Sequence, residues 1–358
     1  MWLKRHEPEV FAACERVLLP HNYINWWLSG VYAAEAGDAS GVGVFSPGAE
    51  AAEYDAHRCA DVDARFLQML PPLVAPNALL GELTFEAREA LGLHAAPASV
   101  GVAAGSGDNM MSALGAGAAA PGKFVMSLGT SGTLFGASDT AVEDPSGTVA
   151  PFRDATGRYL PLLCLQNCTN VLKEVAMSYS MGHDELTSLA AKEPVGCHGV
   201  TFLPYLTGER TPNWPHATGC LLGLGPGAMR PGLVYRAAME GVTFAMRAGF
   251  ERMQALGVHC DELRLVGGGS KNALWRRIIA DTFGLTLRFP AEAESAALGA
   301  ALQAAAASEG ADVGEYVASH APPLLGEDMQ PDPSMRAAYD AAFERHQRLG
   351  RQLFAVPR

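Results

Sequence analysis

Residues 104–135 read AGSGDNMMSALGAGAAAPGKFVMSLGTSGTLF. One acidic residue, Asp108, opens a short helical run, and two β-prone stretches follow with the turn Gly129-Thr130-Ser131-Gly132-Thr133 between them. A turn of glycines and hydroxyls presents backbone N–H groups and O–H groups with no side chain in the way, which suits a phosphate. An aspartate held nearby among small residues can take the proton of an alcohol that attacks that phosphate. The combination points to an ATP-dependent kinase acting on a hydroxyl. Taken alone, the turn fits a plain hairpin as well as a phosphate loop, and Asp108 fits a helix cap.

Outward from this stretch the pattern alternates strand and helix. Strands are expected at 159–165, 202–206, 263–266 and 285–289, and helices at 170–179, 234–256, 273–283 and 294–307. Met239, Val242, Met246, Phe250, Met253 and Leu256 recur at helical spacing, which reads as core. The alternation predicts an α/β domain with helices on its sheet. Upstream, 7–32 reads as helical, with Val10, Phe11, Cys14, Val17 and Leu18 on one stripe, a break at Leu19-Pro20, and a second piece from Asn22 to Leu28. Further helical stretches are expected near 62–70 and 83–91, and a strand at 100–104. The tail from Ser334 to Phe354 reads as an amphipathic helix capped by that serine.

At 358 residues the chain should form two domains with a cleft between them. The formal charge of −12 argues against nucleic acid or an anionic membrane surface as partner. The seven cysteines are odd in number and scattered, which predicts reduced thiols and a cytoplasmic protein. Cys164 with Cys168, and Cys197 beside His198, hint only faintly at a metal, and buried cysteine is the plainer reading.

Other nucleotide signatures fail on context. Gly117 to Lys123 fits G-x-x-x-x-G-K, but Phe124 stands where Ser or Thr is needed, and the match opens a strand rather than a helix. Gly267-Gly268-Gly269-Ser270-Lys271-Asn272 begins like a dinucleotide fingerprint, yet Asn272 replaces the third glycine and the next strand ends in Arg288-Phe289 rather than an acid. What remains is a strand–glycine–helix turn that lets adenine or ribose approach the backbone, or simply packs a strand on a helix.

Several stretches together resemble a known family. Trp2-Leu3-Lys4-Arg5-His6 looks like the end of one signature of the FGGY carbohydrate kinases. Gly219, Leu221, Gly223, Leu224, Ala237, Ala238, Met239 and Glu240 look like its second signature, with Leu233 where a polar residue is usual. Pro20, Tyr23, Trp27, Gly30, Asp38-Ala39-Ser40-Gly41 and Gly208-Glu209-Arg210-Thr211-Pro212 are most similar to the xylulose-kinase branch. The resemblance runs from Trp2 to about Ala307. It implies an actin-like ATPase, ribonuclease H-like two-domain fold. Residues 1–120 would belong to the sugar-binding domain, 121–310 to the nucleotide-binding domain, and 311–358 to a helical extension.

The resemblance also implies roles. Asp108 would be the general base, with Asn109 beside it on the sugar. Gly129, Thr130, Ser131, Gly132 and Thr133 would line the ATP phosphates, and Gly268, Gly269, Ser270 and Asn272 would hold the adenosine end. Thr169 and Asn170 would flank the nucleotide. Glu209 and Arg210 read either as a cleft border or as a structural ion pair, and Asp38 either as a second carboxylate or as a cap on the Gly41 turn. The implied reaction is phosphorylation of a ketose by ATP and Mg²⁺, D-xylulose giving D-xylulose 5-phosphate. A kinase of ribulose, glycerol or a similar polyol is the alternative. A carboxylate is too weak a base to deprotonate a free alcohol in advance, so the proton would move late.

This chain begins within the first signature, and no second phosphate hairpin precedes Asp108. The first domain is therefore expected to be incomplete, with an unpaired sheet edge and exposed apolar surface. A complementing N-terminal fragment or a homodimer would cover that surface. A catalytically incomplete nucleotide-binding remnant is the reading from another class.

Overall fold

The apolar run Phe124-Val125-Met126 forms the centre of the fold, because a strand buried on both faces needs continuous rather than alternating apolar residues. A computed structural model describes residues 1–93, 99–292 and 294–355. Six strands form one mixed sheet: β1 Gly122–Leu128, β2 Gly132–Gly136, β3 Ala150–Arg153, β4 Tyr159–Leu165, β5 Cys260–Val266 and β6 Thr286–Arg288. Their order is β6-β5-β1-β2-β4-β3. β1, β2, β4 and β3 pair antiparallel, and β5 and β6 extend the sheet in parallel beyond β1. This is the ribonuclease H-like arrangement that the sequence leads one to expect.

Helices α1 Asp108–Gly115, α2 Thr169–Tyr179, α3 Pro231–Ala255, α4 Ala273–Phe283 and α5 Ser295–Glu309 surround this sheet, and α6 Arg336–Phe354 packs outside α3 and α4. Met239, Val242, Met246, Phe250 and Met253 of α3 are all buried against it. Leu233 is buried too, which accounts for an apolar residue there, and Glu240 meets Arg236 one turn away at 2.9 Å inside the same helix. Gly284 ends α4 in the left-handed region at φ 67°.

The N-terminal part holds smaller pieces. Ala34–Glu35 pairs in parallel with Leu73–Val74, and Leu79–Glu82 pairs antiparallel with Gly101–Ala103. Within the helical stretch expected over 7–32 there are two helices, Pro8–Ala13 and Pro20–Ser29, with 14–19 non-helical between them, and a short helix Trp2–His6 precedes them. Pro8 and Pro20 each take the first position of a helix, where a missing N–H costs nothing, and the residue before Pro20 is extended. Of the expected stripe only Phe11 is buried, while Val10 is 55% exposed. Residues 62–70 likewise split, at Asp63, into Ala56–Val62 and Phe66–Met69. The helix near 83–91 spans Phe85–Ala90. The strand expected at 202–206 covers only Thr201–Leu203. Ser334 does not cap the tail helix; Asp332 caps the preceding 3₁₀ turn by accepting the Ser334 N–H at 2.9 Å, and α6 starts at Arg336. Tyr23, Ile24, Trp26 and Trp27 leave an exposed apolar face on the helix Pro20–Ser29. Among the described residues no helix is long and apolar enough to cross a membrane.

Candidate functional site

Asp108 sits at the first position of α1, and the loop before it is gripped from several directions. Asn25 Nδ2 donates to the Ala104 carbonyl at 2.7 Å, and Gln303 Nε2 donates to the Gly105 carbonyl at 3.2 Å. The Ser106 hydroxyl donates to Glu35 Oε1. Gly107 lies against Asp38, whose Oδ1 would be 3.1 Å from a Cβ placed there. Asp108 itself is exposed, and its Oδ1 accepts the Asn109 N–H at 2.7 Å and Asn109 Nδ2 at 3.1 Å. Asn109 thus holds the carboxylate of Asp108.

Glu35 is fully buried and acts as an N-cap, accepting the N–H groups of Gly37 and Asp38 at 2.7 and 2.8 Å. Burial pushes its carboxyl up to about 7, against the pull of those hydrogen bonds and of Ser106. Asp38 does not cap the Gly41 turn. Its Oδ2 meets His21 Nδ1 at 2.6 Å, and His21 Nε2 faces Asn22 Nδ2 at 2.8 Å. Neither Glu35 nor the His21–Asp38 pair was singled out as a unit from the sequence; the spacing Glu35-x-Gly37-Asp38 is a cap signature that points to the first.

The turn at 129–132 joins β1 to β2 as a hairpin. Its carbonyls are tied down: Gly129 O accepts the Thr169 N–H at 3.0 Å and the Thr169 hydroxyl at 2.8 Å, and Thr130 O accepts the Cys168 N–H at 3.2 Å. Thr130 and Ser131 stand exposed at the tip. The glycine turn at 267–271 follows β5, and Asn272 caps α4 by accepting the Trp275 N–H at 3.0 Å while its Nδ2 donates to Thr187 at 2.7 Å.

These two turns meet. A cavity of about 700 Å³ is lined by Gly129 and Thr130 from the hairpin, by Gly268, Gly269 and Asn272 from the glycine turn, and by Thr169 and Asn170 from α2. Lys173, His183 and Tyr235 also face it, none of which the sequence marked. Its size is that of a small-ligand site. Ser270 is on the other side of the turn, its hydroxyl donating to the Gly267 carbonyl at 2.7 Å. Ser131, Gly132 and Thr133 are not among the lining residues.

Glu209 and Arg210 are not an ion pair. Glu209 is buried, with Oε1 accepting the N–H groups of Gln166 and Arg210 at 2.7 and 2.8 Å, and Oε2 accepting Asn167 Nδ2 at 3.0 Å. Arg210 is exposed, and its Nη1 reaches Cys164 Sγ at 3.8 Å. Burial raises the Cys164 thiol; Arg210 opposes this, while the charges of Glu209 and Asp108 reinforce it.

The chain is similar to known proteins over most of its length. The sequence profile of the FGGY family of carbohydrate kinases matches residues 1–115 with its N-terminal domain and 124–308 with its C-terminal domain. The xylulose kinase of Haemophilus influenzae is 34% identical over 303 residues, covering 85% of this chain and 61% of the relative. That of Streptomyces rubiginosus is 39% identical over 320 residues, covering 87% and 61%. The crystal structure of a xyloylose kinase from Brucella ovis superposes with a TM-score of 0.90 at 32% identity, over 98% of this chain and 71% of that one. The chain therefore spans about three fifths of the length of those two curated relatives.

Proposed function

Since the chain belongs to the FGGY family of carbohydrate kinases, we propose that it transfers the γ-phosphoryl group of ATP to a ketose, D-xylulose giving D-xylulose 5-phosphate. The observation that carries this reading is the single cavity in which the 129–132 hairpin and the 267–272 turn meet. Backbone amides with no intervening Cβ suit a polyphosphate, and a cavity on that scale accommodates a nucleotide. The names of the relatives supply the sugar.

In this reading Gly129 and Thr130 bind the phosphates, with Ser131, Gly132 and Thr133 completing the hairpin. Gly268, Gly269 and Asn272 hold the adenosine end, and Ser270 keeps the turn in shape. The attacking hydroxyl oxygen forms a bond to the γ-phosphorus as the bond to the β,γ-bridging oxygen breaks, and ADP leaves with that electron pair. The hydroxyl proton passes to Asp108, on the oxygen that Asn109 leaves free. Mg²⁺ carried by the triphosphate would supply neutralising charge there.

The test is ADP release by this 358-residue chain with Mg-ATP, with and without D-xylulose, beside Asp108→Asn. Release that depends on the sugar and is lost in the variant supports the reading. Equal release with and without sugar, or full sugar-dependent release from the variant, refutes it.

A further inference from the structure

The exposed guanidinium of Arg210 reaches Cys164 Sγ at 3.8 Å and is held there by a loop tied to β4. The preceding residue, Glu209, is buried and spends both oxygens on backbone and amide groups, so the carboxylate next in sequence does not neutralise it. Among the described residues Arg210 forms no ion pair, and Cys164 Sγ at 3.8 Å is a weak acceptor.

The loop is rigid because it is tied to the end of β4. Glu209 accepts the Gln166 N–H, Asn167 Nδ2 donates to the Gly208 carbonyl at 2.7 Å, and the Thr211 hydroxyl donates to the Cys164 carbonyl at 3.2 Å. Cys164 is in turn the cross-strand partner of Thr133, and Leu165 that of Gly132. Arg210 is thus anchored beside the strand that returns from the hairpin tip. Cys164 thus lies between Arg210 and the returning strand of the hairpin, and the charge of Asp108 also bears on its thiol.

We propose that Arg210 is a catalytic residue of the kinase reaction, its guanidinium gripping the phosphoryl group in transit between the hairpin and the hydroxyl held by Asp108. The inference rests on the kinase reading above. A planar fork of donors matches two phosphoryl oxygens at once, and it stabilises charge that develops on them as the bond to ADP breaks. The guanidinium moves no proton and forms no covalent bond.

The test uses the whole chain and measures binding as well as rate. Titration calorimetry is run with MgADP alone and with MgADP, fluoroaluminate and D-xylulose together, on wild type, Arg210→Gln and Arg210→Lys. Fluoroaluminate imitates the phosphoryl group in flight. We expect Arg210→Gln to bind MgADP as wild type does, but to lose about 100-fold of the tightening that fluoroaluminate brings. The lysine variant should recover part of this, since it restores the charge without the fork. Equal tightening in wild type and Arg210→Gln overturns the assignment and leaves the kinase reading intact. A parallel loss of MgADP affinity also overturns it, because the contact would then belong to the ground state. If wild type binds no MgADP, the kinase reading falls and takes this assignment with it.

Discussion

Glu35 and Ser106, 71 residues apart, are joined by a hydrogen bond from the serine hydroxyl to a fully buried carboxyl group. The bond connects the capped turn at 35–39 to the loop that delivers Asp108, so the acid at the mouth of the site is held in place by a second acid behind it. Gly37 takes part as well, since a Cβ there would collide with the Ser106 oxygen.

The first prediction concerns pH. The Glu35 carboxyl is raised from 4.5 to about 7 in the folded chain. Between those values the folded state keeps a proton that the unfolded state has released, so stability falls as pH rises through the interval and levels off above it. The effect is on the order of 3 kcal/mol for a shift of this size. Glu35→Gln should flatten the decline, measured as the urea midpoint from pH 5 to pH 8. An unchanged slope would rule out Glu35 as its source.

His346 predicts the opposite limb. Burial among Tyr205, Phe244 and neighbouring side chains lowers its ring to about 3 from 6.5, and Nε2 has no hydrogen-bond partner. Below pH 6.5 the unfolded chain takes up a proton that the folded chain refuses, so stability is lost as pH falls toward about 3. His346→Phe removes that acid sensitivity while filling the same aromatic cluster, and thermal melts at pH 4 and pH 7 should then differ less than in wild type.

Asp108→Asn should cut phosphoryl transfer by about 10²–10⁴ while leaving MgADP affinity unchanged. The amide keeps the shape of the side chain and its bond to Asn109, so circular dichroism and melting temperature should match wild type. A variant that also fails to fold would shift the role of Asp108 from chemistry to structure.

Two adjacent glycines separate ligand contact from packing. A Cβ on Gly268 meets nothing within 4 Å, whereas one on Gly269 would stand 2.8 Å from the Trp275 ring and 2.9 Å from Leu128 Cβ. Gly268→Ala should therefore melt like wild type and weaken only nucleotide binding. Gly269→Ala should destabilise the chain by about 1–3 kcal/mol even without ligand. Calorimetric melts with and without MgADP distinguish the two.

Gly299→Ala should be among the more damaging single changes in the molecule. Its Cβ would land on the Met111 carbonyl oxygen and 2.9 Å from the Gly115 nitrogen, both backbone atoms of α1. A loss of roughly 3 kcal/mol follows from such overpacking. Gly182→Ala, where a Cβ meets open space, is the control and should change the denaturation midpoint little.

The parts of this molecule that can be read from sequence are those settled within a few residues. The buried run at 124–126, the hairpin turn after it and Asp108 at a helix start are all local patterns. The apolar stripe at 10–18 does not carry a helix past Ala13, and the helical stretch near 62–70 is interrupted at Asp63, because local breaks decide both. The site differs in kind. Glu35 with Ser106, Asp38 with His21, and Arg210 with Cys164 are partners across 17 to 71 residues, and no periodicity encodes such pairings. Glu209 shows the same limit: beside Arg210 in sequence it suggests an ion pair, yet it turns inward to three donors of other residues.

The close approach of Gly115 and Gly299 has a mechanical meaning. Asp108 lies seven residues from Gly115 along α1, an arm of about 10 Å at 1.5 Å per residue. With the far end pinned on α5 as a fulcrum, a tilt of roughly 6° swings Asp108, the proposed proton acceptor, by about 1 Å, and a misplacement of that size in an acting base costs on the order of 10²-fold in rate. The leverage on the chemistry is therefore set at the opposite end of the helix, by a side chain that is not there.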